Sequence, residues 1–176
     1  FGIQGTAAHI WKTNRYLSTT FTAGLENVDV SEGDAGKIKA LYDIYNIPIS
    51  RRAEQLEGGL FLTLAPGITY DTRDTTINTR RGTLANFKFE ENLALNNTSY
   101  THGKLTGMFK QYMPVASKSS FSLTARAGGN IHGNMPEVMA YRLGGPYTVR
   151  GFKMSGVGTG DAFVMGSAEL NTPFFF

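Results

Sequence analysis

Cysteine is absent from the 176 residues. That suits an oxidising compartment, where no thiols are left to mispair, although soluble domains can lack cysteine as well. No run of roughly 18 apolar residues occurs anywhere in the chain, so a membrane-spanning helix is excluded on length. A β-barrel survives that test, because lipid-facing residues alternate with lumen-facing ones and the average hydropathy stays modest. The 17 Lys and Arg against 14 Asp and Glu leave a net charge of only +3, spread along the chain. With no basic block, nucleic acid is not an expected partner. The two basic doublets, Arg51-Arg52 and Arg80-Arg81, fall in connections and read as solvated turns or interfacial anchors. The chain opens on Phe1-Gly2-Ile3, without the basic and apolar stretches of a signal peptide. For a secreted barrel, this implies a mature or cut chain.

Site chemistry is equally sparse. His9, His102 and His132 have no metal-like spacing among themselves or with carboxylates, so they read as surface or lumen residues and no metal is expected. No Gly-x-Ser-x-Gly elbow occurs. The run Gly156-Val157-Gly158-Thr159-Gly160 shares only glycines with a phosphate loop, lacking the following Lys-Ser or Lys-Thr and the helix, and reads as a flexible stretch of a long loop. No enzymatic activity, catalytic residue or cofactor is expected.

What the chain does have is glycine and aromatics, 21 Gly, 12 Phe and 8 Tyr, arranged at period two. Successive side chains of a strand point to opposite faces. In 119–127, Phe121, Leu123, Ala125 and Ala127 share one face, opposite Ser120, Ser122, Thr124 and Arg126. In 83–90, Ala85, Phe87 and Phe89 oppose Asn86, Lys88 and Glu90. Similar alternation marks 15–25, 59–70, 102–112 and 162–171, whereas 2–11 alternates poorly. Pro66, on the apolar face of 59–70, marks a bulge or a local break in the ladder. These segments are long for globular sheets, whose strands average about 5 to 6 residues, and match the length a tilted strand needs to cross a bilayer. Alternation alone does not say which face is inside, and a large soluble sandwich or barrel would share the pattern.

The expected connections are 12–14, 28–56, 71–81, 94–98, 113–118 and 132–161. The two long ones, 28–56 and 132–161, fall on the same side by parity, as do the extracellular loops of outer-membrane barrels. Within the first, residues 37–46 read either as a short amphipathic helix or as an added hairpin.

The most informative motif is Leu143-Gly144-Gly145-Pro146-Tyr147-Thr148-Val149-Arg150-Gly151-Phe152, followed by a Gly-rich connection to Asp161 and a strand ending Ala168-Glu169-Leu170-Asn171-Thr172-Pro173. It resembles the outer-membrane superfamily of BamA-type barrel-assembly proteins and two-partner secretion transporters. The cluster Tyr70-Asp71-Thr72-Arg73-Asp74, with Gly82 leading the next strand, is similar to a periplasmic turn of the same family; it also reads as an ordinary charged turn in which Asp side chains cap backbone N–H groups.

The resemblance implies an all-β fold, a transmembrane antiparallel β-barrel in the cell outer membrane, of which residues 1–176 form roughly half of about sixteen strands. It implies that the loop at about 132–161 folds back into the lumen, with Val149, Arg150, Gly151 and Phe152 as its functional motif. Arg150 would pair with an acidic group, since an unpaired buried charge costs several kcal/mol. Gly151 would allow close backbone approach or a positive φ, and Phe152 would pack against the wall. In the family the acidic partner lies on the next strand, beyond Phe176. Within this chain, Asp161 and Glu169 are the candidates, and unseen register leaves the choice between them open. The competing architecture, a complete barrel of about eight strands ending in Phe174-Phe175-Phe176, would have a side-chain-filled lumen with no room for such a loop. The function implied is the folding and insertion of client β-barrel proteins. The alternatives are a two-partner secretion pore and a plugged structural or porin-like barrel. Outer-membrane lipids, unfolded client barrel proteins and periplasmic accessory proteins are the expected partners.

Overall fold

A computed structural model of the chain describes residues 2–28, 58–146, 148–153 and 156–172. Arg51-Arg52, the segment 37–46 and the terminal phenylalanines lie outside the described residues. The rest is one antiparallel sheet in the order β1-β2-β3-β4-β5-β6-β9, built from β1 (Gly2–Lys12), β2 (Leu17–Val28), β3 (Gly59–Asp71), β4 (Gly82–Ala94), β5 (His102–Pro114), β6 (Ser120–Gly133) and β9 (Ala162–Asn171). A small hairpin of β7 (Tyr141–Leu143) and β8 (Gly158–Gly160) stands apart from it. The sheet does not close on itself: β1 and β9 are its edges.

Strands run further than alternation indicates, especially at their loop-side ends. β2 continues to Val28, β4 to Ala94 and β6 to Gly133. Segment 2–11, despite its weak alternation, is a full strand, because β2 offers it eleven consecutive backbone partners from Gly2↔Val28 to Lys12↔Ser18. Pro66 produces a break and not a bulge. Its ladder with β2 is unbroken at Phe21↔Pro66, while pairing with β4 skips from Leu64↔Glu91 to Gly67↔Lys88 at constant register. Proline has no N–H to give, and the neighbouring rungs carry the pairing across.

The one register shift along the sheet falls between Gly103 and Lys104 of β5, where β6 accommodates Ile131 as an extra residue. A bulge of this kind re-aims the residues after it. Here it turns His132 to the face of Glu91, whose Oε2 lies 2.9 Å from His132 Nε2. His132 also covers Gly103, at which a Cβ would come within 2.2 Å of its ring.

Cross-strand pairing carries parity through the sheet. Ile68, Phe87, Gly107, Ala127 and Val164 form one row on one face, and Tyr70, Ala85, Phe109 and Ala125 form the next. The opposite face carries Lys88, Glu90, Lys104, Lys110, Arg126 and Glu169. A soluble sandwich would bury the apolar face under a second layer. Among the described residues none covers it: Val164 is 85% exposed and Phe87 49%, and the buried apolar residues are only Phe61, Ala65, Ala94 and Ala140. Burying a large apolar side chain contributes about 1.5–3 kcal/mol, so Ile68, Phe87, Phe109 and Val164 left bare together on one face call for an apolar solvent. That resolves which face is which: the apolar face suits lipid, and the polar face is the barrel interior side. The His residues follow these surfaces, His9 stacking near Trp11 at 4.3 Å between ring centroids. His102 departs from the expectation of an open position. It lies on the polar face but is fully buried, with its ring edge-on to Phe61 and Nδ1 2.8 Å from the Tyr100 carbonyl oxygen.

Phe87→Lys should therefore destabilise the folded barrel by about 2–4 kcal/mol, the cost of a cation at the bilayer midplane. Asn86→Lys, one residue away on the polar face, should cost less than half of that. Denaturant unfolding of full-length protein reconstituted in lipid bilayers measures both, and equal losses would contradict the assignment of faces.

Candidate functional site

The short connections 13–16, 72–81 and 115–119 gather at one end of the sheet, and the long segments 29–58 and 134–161 leave from the other. Segment 134–161 turns back over the polar face. It begins with a 3-10 turn, Glu137–Met139, whose Val138 and Met139 stand over Glu26, Thr63, Lys88, Glu90 and Lys104 of the sheet. The hairpin of β7 and β8 follows, closed by Val157 N–H donating to the Leu143 carbonyl at 3.0 Å and by Thr159 Oγ1 donating to Glu137 Oε1 at 2.9 Å. Most of the glycine run expected to be flexible is thus backbone-paired, because glycines at 158 and 160 impose no side chain on a tight two-stranded ribbon.

Between β7 and β8 the chain carries the motif. Gly144 and Gly145 take φ of 127° and 93°, and Thr148 ties the turn by accepting from Gly144 N–H at 2.8 Å and donating to its carbonyl at 2.9 Å. Of the two roles open to Gly151, the structure selects one: φ is 89°, and a Cβ would meet nothing within 4 Å. Backbone conformation, not close approach, is what glycine supplies there.

Arg150 Nη2 donates to Glu169 Oε1, and Lys110 Nζ lies 3.5 Å from Glu169 Oε2. Of the two candidate acids the structure pairs Arg150 with Glu169, whose alternation puts it on the polar face. Asp161 instead offers its backbone carbonyl to Asn130 N–H at 2.7 Å. Glu169 is seven residues beyond Ala162, the first residue of β9, so the loop tip reaches about 23 Å along the strand from where the loop rejoins the sheet. A cavity of about 460 Å³ lies between the loop tip and the sheet, with Thr148, Val149 and Arg150 on one side and Met108, Arg126 and Ser167 among those on the other.

Within these seven strands Arg150 and Phe152 are both open on one side: the Arg150 side chain is 74% exposed and Phe152 is 56% exposed. At that exposure an ion pair contributes about 0–1 kcal/mol.

A second polar cluster lies nearer the loop base and was not singled out from the sequence. Glu90 receives Lys88 at 2.6 Å and Lys104 at 3.3 Å, and Thr63 Oγ1 donates to Asn92 Oδ1 at 2.8 Å. Its signal was present as Lys88 and Glu90 at i, i+2, which parity places on one face.

The predicted turn motif is built at the opposite end. Arg73 grips Asp71 through Nε at 2.9 Å and Nη2 at 2.7 Å, and its backbone N–H adds a third bond to the same carboxylate at 3.0 Å. Asp74 Oδ1 accepts the N–H groups of Thr75 and Arg80 at 2.9 and 3.1 Å. Desolvation pushes the Asp74 carboxyl upward, but these backbone donors prevail and hold it below its ordinary value. Gly82 takes φ of 113°, and a Cβ there would lie 2.4 Å from the Thr72 carbonyl oxygen. Arg80 Nη2 donates to the Ala116 carbonyl at 3.0 Å and Ser120 Oγ to that of Thr79 at 3.2 Å, so the turn is strapped to the neighbouring β5–β6 connection. Asp71, Arg73, Asp74 and Gly82 are thus brought together in one turn, of which Arg150 is not a part.

The Omp85 superfamily domain matches residues 1–176 in full. The chain belongs to the Omp85 superfamily. Among curated proteins it is similar to the Sorting and assembly machinery component 50 homolog of Mus musculus, with 32% identity over 130 residues, covering 65% of this chain and 26% of that protein. It is also similar to the chloroplastic Outer envelope protein 80 of Oryza sativa subsp. japonica, with 25% identity over 133 residues, covering 76% of this chain and 19% of that protein. The chain thus spans 26% and 19% of the length of these two relatives. As an Omp85 chain it is an outer-membrane protein, of a bacterium or of an organelle, in agreement with its bare apolar face.

Gly82→Ala should cost more than about 1 kcal/mol, since alanine adds both a strained φ and a clash with backbone. The check is the denaturation midpoint of the full-length protein; a variant as stable as the parent would show that the turn relaxes freely.

Proposed function

We propose that this chain is the loop-bearing part of an outer-membrane assembly factor that folds and inserts client β-barrel proteins. The observation that carries the reading is the Arg150 loop, laid over the polar face and joined to Glu169 some seven residues down β9. Family membership supports it, as does the mouse relative, whose name describes a component of sorting and assembly machinery.

In this reading the chain contributes roughly half of a barrel of about sixteen strands, and residues at about 132–161 occupy its lumen. The strands supply a continuous backbone-paired wall, and the loop tip is held on it by the Arg150–Glu169 pair. The chemistry is non-covalent: clients exchange backbone hydrogen bonds with the machine, and no bond needs to be cleaved by it. No catalytic residue or cofactor has a part. Unfolded client barrels, lipids and periplasmic accessory proteins are the partners, the accessory proteins meeting the end where Asp71, Arg73, Asp74 and Gly82 form their turn.

Arg150→Ala in the full-length protein should lower client assembly several-fold while the barrel itself accumulates normally. Arg150→Lys should restore only part of the loss, because a single ammonium does not reproduce the guanidinium fork. Wild-type assembly by Arg150→Ala would refute the role. A separate measurement addresses the loop's place: deletion of residues 140–156 should raise single-channel conductance in planar bilayers, and an unchanged conductance would mean that the loop does not occupy the lumen.

A further inference from the structure

The loop has a second attachment, at its stem, and it is of a different kind from the ion pair at its tip. Tyr141, the first residue of β7, lays its ring against Phe163 of β9 with 5.0 Å between centroids and an interplanar angle of 57°. Lys104 Nζ sits 5.5 Å from the centroid of the same ring, and Lys104 is held in turn by Glu90. Beneath the two rings is Gly128 of β6, opposite Phe163 on one side and Thr106 on the other. A Cβ at Gly128 would come within 2.6 Å of Phe163 Cε1, 3.0 Å of Thr106 Cγ2 and 3.2 Å of Tyr141 Cζ. Only a residue without a side chain leaves this notch open. The Tyr141 hydroxyl is buried and has no hydrogen-bond partner among the described residues, so the ring's apolar body, and not its polar end, makes the contact.

We infer that Tyr141, seated in the socket formed by Gly128, Phe163 and Lys104, is a positioning residue that sets where the loop leaves the sheet and so delivers Arg150 to Glu169. This deepens the proposed function and rests on it. The geometry supplies the reason: Phe163 and Glu169 are six residues apart on the same strand and, by parity, on the same face. β9 therefore fixes the distance between stem and tip, about 20 Å at 3.3 Å per residue. An exposed ion pair cannot order a long loop alone. An aromatic contact partly withdrawn from water can fix its root.

The test is cross-linking of the tip to the sheet in the full-length protein in its own membrane. Val149→Cys and Ser167→Cys line the two sides of the tip cavity, these 176 residues have no other cysteine, any cysteine elsewhere in the full-length protein is replaced by serine, and a short bifunctional thiol reagent joins the pair. In this background Tyr141→Ala should lower the cross-linking yield roughly tenfold, the scale of a lost aromatic contact, with heat-modifiable mobility of the folded barrel unchanged. Tyr141→Phe should retain the yield, because the hydroxyl has no partner to lose. Gly128→Val, which closes the socket from the sheet side, should behave as Tyr141→Ala does. Wild-type yield in Tyr141→Ala, or equal losses in Tyr141→Phe and Tyr141→Ala, would overturn the inference. Should Gly128→Val fail to fold, Tyr141→Ala decides, since it leaves every pairing of the seven-stranded sheet in place. Loss of cross-linking in Tyr141→Ala combined with normal client assembly in Arg150→Ala would sustain the socket while removing the assembly reading.

Discussion

Every strand from β2 to β6 has both backbone edges hydrogen-bonded to a neighbour, and everything else in the sheet follows from that ladder. A bilayer offers no partner to a bare N–H or C=O, so a strand can stand in it only if its neighbours satisfy the backbone completely. Once paired, the strand has no further freedom in which face it shows, because side chains alternate strictly. From β1 to β5 no register shift occurs, so a choice of face made at Phe87 is imposed on Ile68 and Gly107 in turn. The one shift, at Gly103/Lys104, sits near the long-loop end, where it costs the mid-sheet rows nothing and turns His132 toward Glu91.

The same parity organises the polar face. Phe163, Met165, Ser167 and Glu169 are alternate residues of β9, and they line the path taken by the loop above them. The loop meets an aromatic at one end of this path and a carboxylate at the other. Between them lies the cavity flanked by Met108 and Arg126. A strand is a stiff ruler, whereas a loop closed over some 28 residues is not, since loop entropy grows only slowly with length. Order in the loop is therefore borrowed from β9, and local devices in the loop serve to spend as little chain as possible between the contacts: the β7–β8 hairpin, the Thr148 tie and the positive-φ glycines at 144, 145 and 151.

Much of this was legible beforehand, for a simple reason. Period two is a local property, so the faces of Phe121 to Ala127 or of Ala85 to Glu90 can be read without knowing their neighbours. Pairing is not local. Strand ends such as Val28, Ala94 and Gly133 carry no alternation signal, and they are strand because a partner strand reaches that far. Pro66 announced a defect, but whether it would break the ladder or bulge it depended on the rungs beside it. Ile131 announced nothing, because an extra residue is defined only against the strand opposite. The site shows the same division. Arg150 and Gly151 are recognisable from their motif, and Glu169, on the lumen face by alternation, is one of two candidate acids with Asp161. Choosing it over Asp161 required the register between β6 and β9 and the fold of the loop. Tyr141 stood in an unremarkable stretch, and Gly128 was one glycine of many until Phe163 was placed opposite it.

The two ends of the loop answer to different physics, and that difference has a direction. The Arg150–Glu169 pair joins charges in contact with solvent on the arginine side, so its strength falls as ions screen it, over a Debye length of about 8 Å at physiological ionic strength. Ring contacts at Tyr141 and Phe163 owe their strength to surface withdrawn from water and are nearly indifferent to salt. A loop held in this way loosens from its tip while its root stays in place. Ions that compete for the guanidinium or for the Glu169 carboxylate act on the weaker end first.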